Sequence, residues 1–188
     1  MRVLIGEDET LIRLDLKEML ERAGFEVCAE ARDGMEALEL ARSEGPELAI
    51  LDVKMPKLDG IEAARRMLDE RPMPIVIVSA FTEEKLVARA AEAGVFGYLA
   101  KPFREDALLP AIVTARARFG ELVAVREQVE TLEDALAARK AIERAKGILM
   151  EKEALSEEAA FARLRKASQV SGRPMRVIAE AVIGAFAA

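Results

Sequence analysis

Asp8, Asp52, Ser79 and Lys101 are the residues whose types and places point to chemistry, and each follows a short apolar run. Val3-Leu4-Ile5-Gly6 leads into Glu7-Asp8-Glu9, and Leu48-Ala49-Ile50-Leu51 ends at Asp52. Ile75-Val76-Ile77-Val78 ends at Ser79, and Gly97-Tyr98-Leu99-Ala100 ends at Lys101-Pro102. Clustered carboxylates suit a hard divalent cation, because Mg²⁺ takes oxygen ligands in near-octahedral geometry and keeps some of its waters. Asp8 and Asp52 would supply carboxylate oxygens, Glu7 would orient a bound water or add a ligand, and the Lys54 backbone carbonyl would complete the protein's share. The cation would screen the repulsion between an incoming phosphoryl group and the acids. Asp52 is then the nucleophile that forms an aspartyl phosphate. Lys101 would neutralise one phosphoryl oxygen and Ser79 would hydrogen-bond another. Taken singly, acids at strand ends are commonly solvated loop residues, a serine there starts a turn, and a lysine is a surface charge. The set is specific because four run ends carry the required types in the required order.

Such a site needs strands that end side by side, and in open parallel α/β sheets ligands sit beyond the strands' carboxyl ends. The pattern supplies them. Ile12, Leu16, Met19, Leu20 and Ala23 lie at helical spacing and Gly24 ends that helix. A second strand is expected near residues 25–29, and a short helix with Ala37, Leu38 and Ala41 follows the Asp33-Gly34 turn. Ile61, Ala64, Met67 and Leu68 line a helix that stops near Arg71-Pro72, and Leu86, Val87, Ala90 and Ala91 line another that ends at Gly94. Five βα units with short connections imply an α/β fold, a doubly wound five-stranded parallel sheet.

The last helix of that unit starts near Glu105-Asp106, with Pro110 close to its first turn, and the helical pattern then runs on. Leu122, Val125, Val129, Leu132 and Leu136 form a heptad seam, for a second copy or for the chain's own helices, and Gly120 is expected to break or bend the helix before it. The remainder reads as a small all-α bundle. Ile142, Ala145, Leu149 and Met150 line one helix. Ser156 caps the next, whose apolar face is Ala160, Phe161, Leu164 and Ala167. After the Ser171-Gly172-Arg173-Pro174 turn, Val177, Ile178, Ala181, Val182 and Phe186 form a final helix. The expected division is residues 1–120, a coiled-coil-like helical linker over 121–138, and a three-helix unit over 139–188.

Composition narrows the chemistry. The chain of 188 residues has no histidine, which removes histidine-based acid–base work and His-ligated metals. Tryptophan is absent and aromatics are 4 %, so an extended stacking platform for bases is not expected. The one cysteine, Cys28, lies in the second strand and reads as a buried structural thiol. No apolar stretch reaches the length of a membrane span, and a cytoplasmic location without membrane partners is expected. Charge is uneven: residues 1–120 carry 17 basic and 23 acidic side chains, whereas residues 138–188 carry 10 basic and 6 acidic. An acidic front and a mildly basic tail suggest different partners.

Over residues 1–120 the chain resembles the receiver domains of two-component response regulators, which have a flavodoxin-like fold. The resemblance is carried by Val3 to Glu9, by Leu51-Asp52-Val53-Lys54-Met55-Pro56-Lys57-Leu58-Asp59-Gly60, by Val78-Ser79-Ala80, and by Gly97 to Phe103. It implies that Asp52 accepts phosphate from a sensor histidine kinase with Mg²⁺ as cofactor. It also implies that Ser79 and Tyr98 switch position, altering the face formed by the fourth helix, fifth strand and fifth helix, and that the bond before Pro102 is cis. Glu7 stands where the family most often has aspartate.

Over roughly residues 130–188 the chain resembles the ANTAR domain, a three-helix RNA-binding module of transcription antiterminators. Ala145-Lys146-Gly147-Ile148-Leu149-Met150 and the later Leu164-Arg165-Lys166-Ala167-Ser168 carry that likeness. The resemblance implies binding to structured RNA with hairpin loops, whose splayed bases basic and small side chains can read. The candidate contacts are Arg139, Lys146, Gly147, Arg165, Lys166, Arg173 and Arg176, with Ala145 and Gly147 expected to let RNA approach the helix. Pro174 stands where a basic residue is expected. The reading is a phosphorylation-controlled antiterminator, not an enzyme, that homodimerises on phosphorylation. The alternative is an adaptor that signals by protein docking.

Overall fold

The computed structural model describes residues 1–80 and 84–186. The chain divides into two compact units, Met1–Val123 and Ala124–Ala188.

In the first unit, β1 (Arg2–Gly6), β2 (Glu26–Ala31), β3 (Leu48–Asp52), β4 (Ile75–Ser79) and β5 (Gly97–Ala100) form one parallel sheet of order β2-β1-β3-β4-β5. β3 and β4 are buried throughout and therefore read as continuous apolar runs, as strands covered on both faces do. Alternate side chains still enter different layers. Val3, Ile5, Leu48, Ile50, Val76 and Val78 pack with Leu16 and Leu20 of α1 (Thr10–Arg22) and with Leu108, Ile112 and Ala115 of α5 (Glu105–Glu153). Leu4, Ala49, Leu51, Ile75 and Ile77 pack on the other face. There they meet Ala37 and Leu38 of α2 (Gly34–Glu44), Ile61, Ala64 and Met67 of α3 (Gly60–Glu70), and Ala90 of α4 (Glu84–Glu92). β2 runs to Ala31, two residues beyond its expected end. Cys28 lies in it, partly buried, with its thiol 3.4 Å from the Val3 carbonyl oxygen.

α5 is one continuous helix of 49 residues. Gly120, where a break or bend is expected, does not interrupt it. A single glycine costs a helix about 1 kcal/mol relative to alanine, and the helix-forming residues around it outweigh that. The seam residues Leu122, Val125, Val129, Leu132 and Leu136 are 45–69 % exposed and join none of the apolar clusters among the described residues.

The second unit joins the C-terminal part of α5 to α6 (Glu157–Ser171) and α7 (Met175–Phe186). Ser156 caps α6 by accepting from the Ala159 amide at 3.2 Å, and Gly172 ends α6 with φ +67°. The core is Ala145, Leu149, Ala160, Leu164 and Ala179. Three alanines in this core allow close helix approach, and the larger Met150, Phe161 and Phe186 remain 39 %, 42 % and 44 % exposed at its rim. No described helix is long and apolar enough to cross a membrane.

Candidate functional site

β1 and β3 are neighbours although β2 intervenes in sequence, so the strand order reverses between them. A crevice at such a reversal is where open α/β sheets bind ligands. Glu7 follows β1, Asp52 ends β3, Ser79 ends β4 and Lys101 follows β5. Register aligns these ends: Gly6 pairs with Leu51, Asp52 with Val78, and Ser79 with Ala100. Carboxylate oxygens of Glu7, Asp8 and Asp52 lie within 4.8 Å of one another. A 330 Å³ cleft is lined by Asp8, Glu9, Asp52, Lys54, Ser79, Ala80 and Lys101. Glu7, Asp52 and Ser79 are buried, whereas Asp8 is exposed.

Lys101 Nζ lies 2.6 Å from Glu7 Oε2 and 2.9 Å from Asp52 Oδ1. The Lys54 amide donates to Asp52 Oδ2 at 3.0 Å, and the Glu9 amide donates to Glu7 Oε1 at 3.2 Å. Burial pushes both carboxyls above the ordinary carboxylate range, and the hydrogen bonds from Lys101 only partly offset it. Burial alone would lower Lys101, but its bonds to Glu7 and Asp52 hold the ammonium above its usual value. Three carboxylates against one ammonium leave an excess of negative charge in a cleft of oxygen donors. That donor set, with no sulfur or imidazole, fits a hard cation such as Mg²⁺.

Backbone packing fixes the Asp52 loop. A Cβ on Gly60 would come within 1.9 Å of the Asp52 carbonyl oxygen, and one on Gly34 within 2.1 Å of the Leu58 carbonyl oxygen. Lys57, at φ +64°, places its ammonium 2.6 Å from Asp33 Oδ2. Asp33 also caps α2 by accepting from the Met35 and Glu36 amides. The Lys101–Pro102 bond is cis.

Sequence reasoning missed Arg13. Its buried guanidinium donates from Nη1 to the Glu7 carbonyl at 2.7 Å, and Nε lies 3.6 Å from Glu30 Oε2. Lys17 Nζ is 2.6 Å from Glu30 Oε1. The signal was positional: Arg13 precedes Leu16 and Leu20 by three and seven residues, so it occupies the buried stripe of α1. Tyr98 lies in β5, partly buried against the apolar layer that includes Ile75 and Ile77, and does not line the cleft.

The basic residues of the second unit divide by partner. Arg139, Arg165, Lys166 and Arg173 are exposed, and Gly147 is exposed with open space where a Cβ would be. Lys146 is buried, 2.6 Å from Glu157 and 3.1 Å from Glu143. Arg176 lies 3.0 Å from Asp134 and 2.8 Å from Glu180. Ala145 is wholly buried in the bundle core, so the close approach expected there is to α6 and α7 rather than to a ligand.

Residues 3–113 match the response regulator receiver domain and residues 130–183 match the ANTAR domain. The transcriptional regulatory protein PdtaR of Mycobacterium tuberculosis is 47 % identical over 97 % of this chain and 89 % of its own length. The chemotaxis protein CheY of Bacillus subtilis is 36 % identical over 59 % of this chain and 93 % of its own. The receiver domain of the putative response regulator NarL from Mycobacterium tuberculosis superposes with a TM-score of 0.57 at 33 % identity, covering 60 % of this chain and 92 % of that one. The CheX–CheY–BeF₃–Mg²⁺ complex from Borrelia burgdorferi gives 0.58 at 25 % identity, covering 60 % and 86 %. A strand-end acidic cleft on a five-stranded parallel sheet, and both module matches in one chain, lead to one conclusion: the chain belongs to the response regulators whose output module is the RNA-binding ANTAR domain.

Proposed function

We propose that this protein is a cytoplasmic regulator that is phosphorylated on Asp52 by a sensor histidine kinase and responds by binding hairpin RNA to prevent transcription termination. The observation that carries the reading is the convergence of Asp8, Asp52, Ser79 and Lys101 on one cleft. Asp52 Oδ attacks the phosphorus of a phosphohistidine, the P–N bond breaks, and an acyl phosphate forms. Glu7, Asp8, Asp52 and the Lys54 carbonyl would hold Mg²⁺, which when bound would screen the charge of an arriving phosphoryl group. Lys101 stands within reach of Asp52 to pair with a phosphoryl oxygen, and Ser79 at the next strand end hydrogen-bonds another. Ser79 and Tyr98, on adjacent strands, carry the change of state outward. No turnover of an external substrate is assigned, and the acyl phosphate is lost by slow hydrolysis.

Homodimerisation through α5 accompanies phosphorylation in this reading. The exposed seam supports it, since five apolar side chains at heptad spacing are otherwise left in water. In a parallel pair, Glu121 of one copy would flank Arg126 of the other. Dimerisation would present two output modules to two hairpins.

The test is an electrophoretic shift with a synthetic two-hairpin RNA, with and without beryllofluoride and Mg²⁺. The reading expects tighter, steeply salt-dependent binding in the loaded state. Equal binding in both states removes the switch, and no binding in either favours the protein-docking adaptor.

A further inference from the structure

We infer that RNA docks on the outward face of the C-terminal part of α5, held by Lys140 and Arg144, with Gly147 as the point of closest approach. The inference rests on the RNA-binding reading above and names its contact face.

The charges of the second unit are unequal in availability. Lys146, Lys152, Arg163 and Arg176 each already face a carboxylate. A phosphate must compete with that partner. The side chains of Lys140 and Arg144, like those of Arg139, Arg165, Lys166 and Arg173, are exposed and make no ion pair or hydrogen bond among the described residues. They precede Gly147 by seven and three residues, so the three positions share one helix face. Ala145 and Leu149, each two residues from Gly147, are buried in the bundle core. Two residues turn an α-helix by roughly 200°, so Gly147 points away from that core.

A glycine at that place has no explanation within the chain. A Cβ there meets nothing within 4 Å, so neither packing nor turn geometry excludes a side chain. Glycine is also a poor helix former. Openness alone selects nothing, because Gly120 and Gly184 are equally open. Of these three glycines, Gly147 alone has, one and two turns before it on its own face, cations without a side-chain partner among the described residues. A bare stretch of helix beside two cations suits a hairpin loop, whose turned backbone and splayed bases are accessible where a paired A-form groove is not.

The same face carries two acids, Glu143 and Glu151. Lys146 is 3.1 Å from Glu143, and Lys152 is 3.7 Å from Glu151. Both acids are thus partly neutralised by cations that do not join the face, which leaves Lys140 and Arg144 to set its sign. Lys146 is therefore a positioning residue in this scheme. It bridges Glu143 of α5 and Glu157 of α6 rather than touching phosphate.

The test uses full-length protein with beryllofluoride and Mg²⁺, titrated against a fluorescent two-hairpin RNA between about 50 and 200 mM salt. Losing two phosphate contacts should lower the slope of log affinity on log salt by about 1.4–1.8 in Lys140→Ala/Arg144→Ala. Affinity should fall at least about tenfold at the upper salt, with the melting curve unchanged. Gly147→Ala should raise the melting temperature yet weaken binding. Arg176→Ala should keep the wild-type slope. An unchanged slope in the double variant, or full affinity in Gly147→Ala, overturns the inference while the RNA reading stands. Loss of slope in Arg176→Ala equal to that of the double variant also overturns it. A wild-type protein with no salt-dependent RNA binding overturns both.

Discussion

Lys101 Nζ sits between Glu7 Oε2 at 2.6 Å and Asp52 Oδ1 at 2.9 Å, so one largely buried ammonium serves two carboxyls whose own burial disfavours their charge. A bound cation would share these two carboxylates with the ammonium, which already lies beside the Asp52 oxygen.

That dual place makes Lys101→Met informative. Phosphoryl acceptance should fall by about 100-fold, the scale of losing one preorganised charge-stabilising donor. Mg²⁺ affinity, read by calorimetry, should be retained or raised because a competitor for Glu7 and Asp52 is gone. A variant with near-normal phosphorylation would show that Lys101 is only a structural counter-ion.

The two ends of the glycine scale give a stability test. Gly60→Ala forces a methyl against the Asp52 carbonyl oxygen and should cost about 1–3 kcal/mol or more in urea unfolding. Gly120→Ala adds a methyl in open space on a helix and should gain up to about 1 kcal/mol. Equal effects would mean that the tight contact at Gly60 does not govern the Asp52 loop.

The Asp33–Lys57 pair has a pH signature. The Lys57 hydrogen bond, first, and the Glu36 amide hold the Asp33 carboxyl below its usual value of 3.8. A depressed carboxyl stabilises the fold above its unfolded pKa, and that contribution is lost as pH falls through its folded value. Carboxyl NMR titration should find Asp33 below 3.8, and Lys57→Met should return it upward. No movement in the variant would assign the depression to the capping amides alone.

The heptad seam on α5 gives an association test. Leu132, the most exposed seam residue at 69 %, becomes unfavourable in any paired state when replaced by glutamate. Sedimentation of wild-type protein with beryllofluoride and Mg²⁺ should show a dimer, and Leu132→Glu should remain monomeric with an unchanged melting curve. A monomeric wild type in the loaded state would detach the seam from the switch.

Much of the first unit was legible because each site residue terminates an apolar run, and strand ends in a parallel sheet meet by topology alone. Asp52, Ser79 and Lys101 were readable for that reason. Arg13 was not, because its partner is a backbone carbonyl six residues earlier and the contact exists only once α1 packs on the sheet. Lys146 stands in the sequence as a candidate RNA contact, and its burial and its bridge to Glu157 are not legible there because they depend on how α6 returns along α5. The burial of Ala145 is hidden for a related cause, since an alanine's periodicity does not say whether its face meets a helix or a ligand. The helix runs unbroken through Gly120 because one glycine's penalty is small beside a long run of helix formers.

The most direct measurement of the central claim is phosphoryl labelling by a small acyl-phosphate donor with Mg²⁺, followed by intact mass. The account predicts one phosphoryl group per wild-type chain, none after chelation of Mg²⁺, and none in Asp52→Asn. Label retained in Asp52→Asn, or acquired without divalent cation, would contradict it.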